Sequence, residues 1–448
     1  VKNNIKICLY CARFESESFK VAPLGIGYLA SYLITNNIVF ENDIRIVDSL
    51  EEAIQFKPDI LGIGSVSQVI SDAKRFASKC KESLDCITVL GGYHITCTPY
   101  SLAEEFDIGV LGEGEETFKE LVLSLKESPF NKQMFKTIRG ICYHDNFKIT
   151  IGPDRSLIQD IDSIPWPYRH RQYSSDEPIF TSRGCPYRCT YCASHTFWGN
   201  TTRFRSADSV VSEISDLVER YQPKEIAILD DLWMADKKRF RLIVSKLIAT
   251  GIPPKVSFRG FCRSNLIDEE MILLLKRINY RVVRFGAETG SDRLLKKIKG
   301  KGISISDHQR VIDLCAKHRI KCSGSFIFGI PGETFEDIEL TKDFLRKNNK
   351  KFRIAGFYFF NPMPGTPIWD ELLEKGKLSE DLDFERFQLD FLNPYFSWDN
   401  ILYFNDENIP LDKFRQIIKN FKSEFIPFSQ RWNLLNRVLQ NIKLKLNL

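Results

Sequence analysis

The chain has 448 residues, of which 43% are hydrophobic and 27% charged, with a net charge of +5. That length exceeds what one hydrophobic core fills, so two or three domains are expected, and the composition excludes a disordered chain. The charge is too small to argue for nucleic acid, and no apolar run reaches the ~20 residues that span a bilayer.

The start, Val1 to Tyr10, carries too short an apolar stretch for a signal peptide and leads directly into a strand. From Ile5 to about Leu125 short apolar strands alternate with amphipathic helices. Strands are predicted at Ile5–Tyr10, Ile44–Val47, Ile60–Ser65, Ile87–Leu90 and Ile108–Leu111, with helices at Gly25–Thr35, Ser71–Lys81 and Glu115–Lys126. The alternation predicts a doubly wound, Rossmann-like parallel sheet over residues 1–126, helices on both faces. Ligands of such sheets bind outside the carboxyl ends of the strands. Those ends read Ser65-Val66-Ser67, Gly91-Gly92-Tyr93-His94 and Gly112-Glu113-Gly114. Glycines there let a large flat or phosphorylated ligand approach the backbone.

Residues 127–177 read as a connector, with a hairpin over Ile138–Ile151 turning at Asp145-Asn146 and an extended strap through Pro165-Trp166-Pro167. A strand at Ile179–Ser182 then delivers the chain into Cys185-Pro186-Tyr187-Arg188-Cys189-Thr190-Tyr191-Cys192. The spacing Cys-x3-Cys-x2-Cys puts three thiolates on one tight loop, one fewer than an electron-transfer [4Fe-4S] cluster requires, which leaves an iron open to a substrate. A zinc site also clusters cysteines, but it closes with four ligands, and no Cys or His follows at finger-like spacing. Twelve cysteines in so large a chain, three of them in this loop, indicate a reducing, cytoplasmic compartment rather than a disulfide scaffold.

Over residues 178–365 strands and helices alternate again. Strands at Glu225–Leu229, Lys255–Phe261, Arg281–Gly286, Ser323–Phe328 and Ile354–Phe360 follow the one before the cysteines. Between or after them come helices Ser206–Tyr221, Asp236–Thr250, Asp268–Arg277, Ser291–Ile298, Ser306–Lys317 and Thr334–Arg346. Six such units predict a partial (β/α)6, TIM-like barrel, whose chemistry gathers at the carboxyl ends of the strands. Those ends carry Asp230-Asp231, then Arg259 and Arg263, then Glu288, then Phe328-Gly329. A carboxylate suits an ammonium group; Asp230 and Glu333 also read as helix caps.

Residues 366–448 read as a small, mostly helical domain. Phe384, Phe387, Phe391, Tyr395, Phe396, Trp398, Tyr403 and Phe404 form either a third small core or a lid over an apolar or aromatic substrate. Leu411 to Phe425 and Leu435 to Leu446 show helical spacing, with eight Lys and Arg against Asp412 and Glu424 over residues 411–448. These helices either pack on the body with solvated basic faces or make peripheral contact with a membrane surface.

The loop Cys185, Cys189, Cys192 closely resembles that of the radical S-adenosylmethionine (radical SAM) enzymes. Pro23-Leu24-Gly25, Gly91-Gly92-x-His94 and Gly112-Glu113-Gly114-Glu115-Glu116-Thr117, placed before such a loop, resemble the cobalamin-binding domain of the cobalamin-dependent radical SAM family. The resemblance covers residues 5 to about 365. It implies a [4Fe-4S] cluster on the three cysteines and S-adenosyl-L-methionine on the open iron. Tyr191 would lie against the adenine, Asp230 and Asp231 would receive the amino group, and Arg259 or Arg263 would hold the carboxylate. Glu288 would contact the ribose, and Phe328-Gly329 would meet the adenine through the backbone. It also implies cobalamin along Ser65, Ser67, Gly91, Gly92, Tyr93, His94, Gly112, Glu113 and Gly114. The fingerprint Asp-x-His-x-x-Gly is absent, so cobalamin without a protein histidine on cobalt is expected; His94 reads equally as a tail contact or a plain loop histidine.

The implied activity is transfer of a methyl group from methylcobalamin to an unactivated carbon after hydrogen abstraction. Relatives that cyclise or rearrange their substrates share the same motifs. A methylthiotransferase would need three more cluster cysteines in the first domain, which Cys8, Cys11, Cys80, Cys86 and Cys97 could supply, and a small terminal β-barrel, which the helical basic tail does not resemble; a redox or cobalamin sensor would have no need of Asp230, Asp231 and Glu288. A small-molecule or natural-product substrate and a reducing donor such as flavodoxin or ferredoxin are the expected partners, with no nucleic acid.

Overall fold

The structure, a computed structural model, describes residues 4–14, 22–127, 132–146, 148–379, 382–387, 390–391 and 396–426. The chain divides into two compact units, Val1–Pro186 with Ala193–Ile226, and Tyr187–Cys192 with Ala227–Leu448.

The first unit is built on β1 (Ile7–Cys11), α1 (Leu24–Thr35), β2 (Ile44–Ile46), α2 (Leu50–Phe56), β3 (Ile60–Gly64), α3 (Ile70–Ser83), β4 (Ile87–Gly91), α4 (Tyr93–Cys97), β5 (Ile108–Val110), α5 (Gly114–Glu127), α6 (Lys132–Phe135), β6 (Ile141–Asp145) and β7 (Lys148–Ile151). The strands form one sheet in the order β2-β1-β3-β4-β5-β6-β7. β1 to β5 pair in parallel, and near-continuous buried runs such as Ile7–Tyr10 and Ile60–Ile63 are what strands covered on both faces require. Ile7, Leu9, Ile26, Leu33, Val89, Phe118 and Leu121 share the core. The hairpin expected within a connector instead extends this sheet: β6 pairs antiparallel with β5, Ile108 opposite Tyr143. Its reason is the open edge of β5, whose backbone groups need partners. Asn146, at the hairpin turn, has φ 45°.

There follow β8 (Asp176–Ile179), β9 (Ser182–Arg183), α7 (Ser194–Trp198), β10 (Arg203–Phe204), α8 (Ala207–Tyr221), β11 (Glu225–Ile228), α9 (Lys237–Ala249), β12 (Ser257–Cys262), α10 (Glu269–Arg277), β13 (Val282–Glu288), α11 (Asp292–Lys299), α12 (Ile305–Lys317), β14 (Lys321–Phe328), α13 (Phe335–Asn348) and β15 (Arg353–Phe359). The strand expected at Ile179–Ser182 is split: β8 ends at Ile179, and Ser182–Arg183 pairs with β10. A second sheet runs β15-β14-β13-β12-β11-β8, open at both ends among the described residues. β12 to β15 pair in parallel. Helix starts are fixed locally. Ser206, Asp236, Asp268 and Ser291 each accept a backbone N–H as N-caps of α8, α9, α10 and α11, and Ser304 and Thr334 form capping boxes with Asp307 and Asp337.

Beyond β15 come α14 (Pro367–Glu374) and α15 (Leu411–Phe425). The aromatic segment packs against the outer strands: Phe421 lies 4.8 Å from Phe357 and 4.9 Å from Phe328, and Phe391 lies 4.9 Å from Phe357. These rings are buried. Of the rings expected to form either a small core or a lid, Phe384, Phe387 and Phe391 are buried as a core requires, whereas Phe396, Trp398, Tyr403 and Phe404 are half-buried. Tyr395 and the helix expected from Leu435 lie outside the described residues. Among the described residues no helix is long and apolar enough to cross a membrane.

Candidate active site

In the second unit β13 ends in an irregular turn. Its register with β14 shifts between Gly286 and Glu288, and Glu288 takes φ 63°. A non-glycine residue in that region is strained and persists only where its surroundings hold it. Two contacts hold Glu288: Lys299 Nζ lies 2.8 Å from Oε1, and the Tyr191 hydroxyl donates to Oε1 at 2.8 Å; Lys299 is itself held by donating to the Gly286 carbonyl at 2.6 Å. Gly286 is required, since a Cβ there would lie 2.0 Å from Glu288 Oε1. Burial, reinforced by the Glu288 charge, pushes the Tyr191 phenol well up, so it remains a donor. Tyr191 and Glu288, expected from the sequence to touch the same ligand, are thus brought together. Lys299 was not foreseen; its signal was a lysine four residues after Leu295, on the apolar stripe of α11.

Arg263 is placed differently from expectation. It is buried, with its guanidinium carbon 3.7 Å from the Tyr187 ring centroid. Nη1 donates to Cys189 Sγ at 3.6 Å and Nη2 to the Lys299 carbonyl at 3.5 Å. It braces the cysteine loop, where a carboxylate contact was expected. The Thr190 N–H donates to Ile298 O at 2.8 Å and completes the brace. Asp230 is buried, whereas Asp231 is exposed and Arg259 half-buried.

After β14, Gly329 has φ 82° and its N–H donates to Glu333 Oε2 at 2.7 Å. Glu333 is therefore tied into the turn, while Thr334 caps α13. Burial, partly offset by the Gly329 N–H, raises the Glu333 carboxyl to about 8. Asn405, which no sequence signal marked, accepts from the Gly332 N–H at 2.7 Å and donates to the Glu333 carbonyl at 2.8 Å.

None of the twelve cysteines forms a disulfide. Among the described residues no three His, Cys, Asp or Glu side chains gather around a single-ion position; an iron-sulfur cluster, with each ligand on a different iron, asks instead for thiols spaced along one loop. The loop spacing and the guanidinium aimed at Cys189 Sγ suit such a cluster, whose negative thiolates a buried cation stabilises.

In the first unit the strand ends of β3, β4 and β5 lie together. Gly92, at φ 100°, lets the chain pass Ser65, whose carbonyl would be 2.5 Å from an added Cβ. An added Cβ at Gly91 or Gly112 would meet nothing within 4 Å, so the backbone faces open space there. Val66, between buried Ser65 and Ser67, is exposed. These features fit a broad flat ligand such as cobalamin. His94 is buried, its Nδ1 3.0 Å from Ser67 Oγ, and burial, with a lesser effect of Lys74, lowers it to about 4. Tyr93 stacks on Phe197 at 4.4 Å.

Glu113 departs from its expected role. It is buried, receives Arg183 at 2.7 Å and Arg203 at 2.8 Å, and accepts from the Ile158 N–H at 2.7 Å. Its oxygens are taken up by these donors, so it organises the loop from within. Burial works against the Arg183 charge, but Glu115 and Glu113 overcome it and hold the guanidinium protonated.

Comparison with known proteins agrees with this geometry. The radical SAM superfamily matches residues 179–345, and the B12 binding domain family matches residues 14–122. The uncharacterized methyltransferase PH0819 of Pyrococcus horikoshii is 35% identical over 393 residues, 82% of this chain and 83% of its own length. The anaerobic magnesium-protoporphyrin IX monomethyl ester cyclase of Rubrivivax gelatinosus is 28% identical over 394 residues, 83% of this chain and 69% of its own. The radical S-adenosylmethionine methyltransferase TsrM from Kitasatospora setae, solved with cobalamin and a [4Fe-4S] cluster, superposes with TM-score 0.71 at 19% identity, covering 87% of this chain and 83% of that one. With a radical SAM domain preceded by a B12-binding domain, the chain belongs to the family of cobalamin-dependent radical SAM enzymes.

Proposed function

We propose that this enzyme methylates an unactivated carbon of a small molecule. Bound together, the cluster and S-adenosylmethionine supply a hydrogen-abstracting radical, and cobalamin supplies the methyl group. Cys185, Cys189 and Cys192 would hold the cluster, with Arg263 fixing Cys189. Glu288, set by Lys299 and Tyr191, would bind the ribose; Asp230 and Asp231 would take the amino group. Phe328-Gly329, fixed by Glu333 and Asn405, would line the adenine. Cobalamin would rest on Ser65 to Ser67, Gly91 to His94 and Gly112, with Glu113 shaping the loop, over a first domain at 1–126 and ahead of a barrel domain at 178–365. The protein's part is to place these groups and exclude water. A reducing, cytoplasmic setting and a reducing protein donor suit such a cluster.

The observation that carries the reading is the 2.8 Å bond from Tyr191 in the cysteine loop to Glu288 at the end of β13, which joins two residues, far apart in sequence, that the resemblance assigns to one ligand. Anaerobic reconstitution with iron, sulfide and hydroxocobalamin, followed by incubation with S-adenosylmethionine under a strong reductant, tests it. Retained cobalamin, together with 5'-deoxyadenosine and S-adenosylhomocysteine as products, is the expected result. A protein that forms 5'-deoxyadenosine but retains no cobalamin would sink the methyl-transfer reading. The similarity to the Rubrivivax gelatinosus cyclase favours ring closure as the second reading, in which 5'-deoxyadenosine forms without S-adenosylhomocysteine.

A further inference from the structure

β13 carries a second polar group on the face of Glu288, nearer the start of the strand. Side chains alternate along a strand. Val283, Phe285 and Ala287 are buried, with Phe285 packed on His308 of α12, so Arg284 projects from the opposite face. In the parallel register Arg284 is level with Phe261 on β12 and Ser323 on β14. Neighbouring strands lie about 4.8 Å apart, so the three side chains form one row across the sheet.

Phe261 sits on an interior strand yet is 43% exposed, which requires open space above it. The Arg284 guanidinium lies 5.8 Å from its ring centroid. Arg284 Nε is buried without a hydrogen-bond partner, and so is Ser323 Oγ, in a residue only 5% exposed. Buried polar groups without partners cost a folded chain stability, and a ligand that completes them removes the cost. Glu288, an acid that like Arg284 acts on neighbouring Tyr358, is already held by Lys299 and Tyr191.

A guanidinium fork, a hydroxyl and an open ring in one row match an anion borne on a planar or apolar body. Along this face the Glu288 carboxylate folds back over Gly286, one side-chain position beyond Arg284, and the contacts to the cysteine loop are made by Glu288 and Arg263, at the carboxyl ends of β13 and β12. Arg284 makes neither of those contacts, which leaves it for an anion of the substrate.

We propose that Arg284, Ser323 and Phe261 form an anchoring subsite for a substrate carboxylate or phosphate carried on a planar or apolar body. The proposal rests on the radical SAM reading and gives that reading its substrate class. The test is calorimetric titration of the cluster-loaded protein with benzoate, indole-3-carboxylate and phenyl phosphate, with benzamide and indole as neutral counterparts and S-adenosylmethionine titrated separately. At least one anion is expected to bind about tenfold more tightly than its neutral counterpart. Arg284→Gln removes that preference, Ser323→Ala weakens it, and S-adenosylmethionine binding is unchanged in both. Arg284→Gln also melts higher than the parent without ligand, which shows that the variant is folded. Equal loss of S-adenosylmethionine binding in Arg284→Gln would assign the anion to that molecule and overturn the proposal, as would the absence of any Arg284-dependent preference. Formation of 5'-deoxyadenosine by the same preparation is an independent readout: its absence with anion selectivity intact removes the enzymatic reading and leaves the subsite.

Discussion

Lys299 is the residue on which the second unit's site most depends, because it balances a buried carboxylate in a strained backbone. Both side chains of the pair are almost inaccessible to water. Lys299→Met would leave Glu288 charged and unpaired, with an expected loss of about 3–5 kcal/mol in urea denaturation. Lys299→Arg keeps the charge and recovers part of it. Equilibrium dialysis separates positioning from folding: S-adenosylmethionine affinity falls in Lys299→Met under conditions where the variant remains folded. Glu333 makes a second residue-scale prediction. Its carboxyl is raised from the ordinary 4.5 to about 8 by burial. Between those values the folded state keeps a proton that the unfolded state has released, so stability falls as pH rises through this window and levels off above it. Glu333→Gln stays neutral and can still accept from Gly329, so it should flatten the pH dependence and melt above the parent at pH 9. Thermal scans at pH 5, 7 and 9 measure both effects, and an unchanged slope in the variant would assign the pH dependence elsewhere.

Among the elements, the turn between β14 and α13 is held by a segment far along the chain. Asn405 satisfies one backbone N–H and one carbonyl there. Asn405→Ala leaves both without these bonds, at an expected cost of about 1–3 kcal/mol, and hydrogen exchange at Gly332 should rise more than at the centre of α13. Equal protection in parent and variant would mean that the turn stands without the clamp. The cysteine loop shows how legibility varies within one element. Its spacing was readable, since the chemistry demands particular residues at particular intervals. The brace by Arg263 was not, because an arginine at a strand end serves a ligand or a loop equally well until its direction is known. The partners of Glu113 were hidden for the same reason: a carboxylate in a glycine-rich loop serves a ligand or the loop equally well, and here Arg183 and Arg203 pair with it.

At the scale of the whole molecule, two compact units predict two calorimetric transitions, each responsive to its own ligand. Hydroxocobalamin should raise one and S-adenosylmethionine the other, by about 2.7 kcal/mol at a hundredfold excess over Kd. A single transition that shifts with either ligand would show that the units unfold together. Most of the alternation of strand and helix was readable in both sheets, though not α2, because local periodicity and caps such as Ser304 and Thr334 are written in adjacent residues. The fate of the hairpin and of the aromatic segment was not, since both were decided by which sheet edge or face lacked a cover.

The sequence by itself determined the two α/β patterns, the thiolate loop and the family to which they point, all carried by short-range spacing. Only the tertiary structure decided that Glu288 is strained and neutralised by Lys299, that Arg263 serves the loop, and that Arg284, Phe261 and Ser323 share one row. Those facts depend on register between strands and on the direction of side chains distant in the chain, which no local pattern encodes.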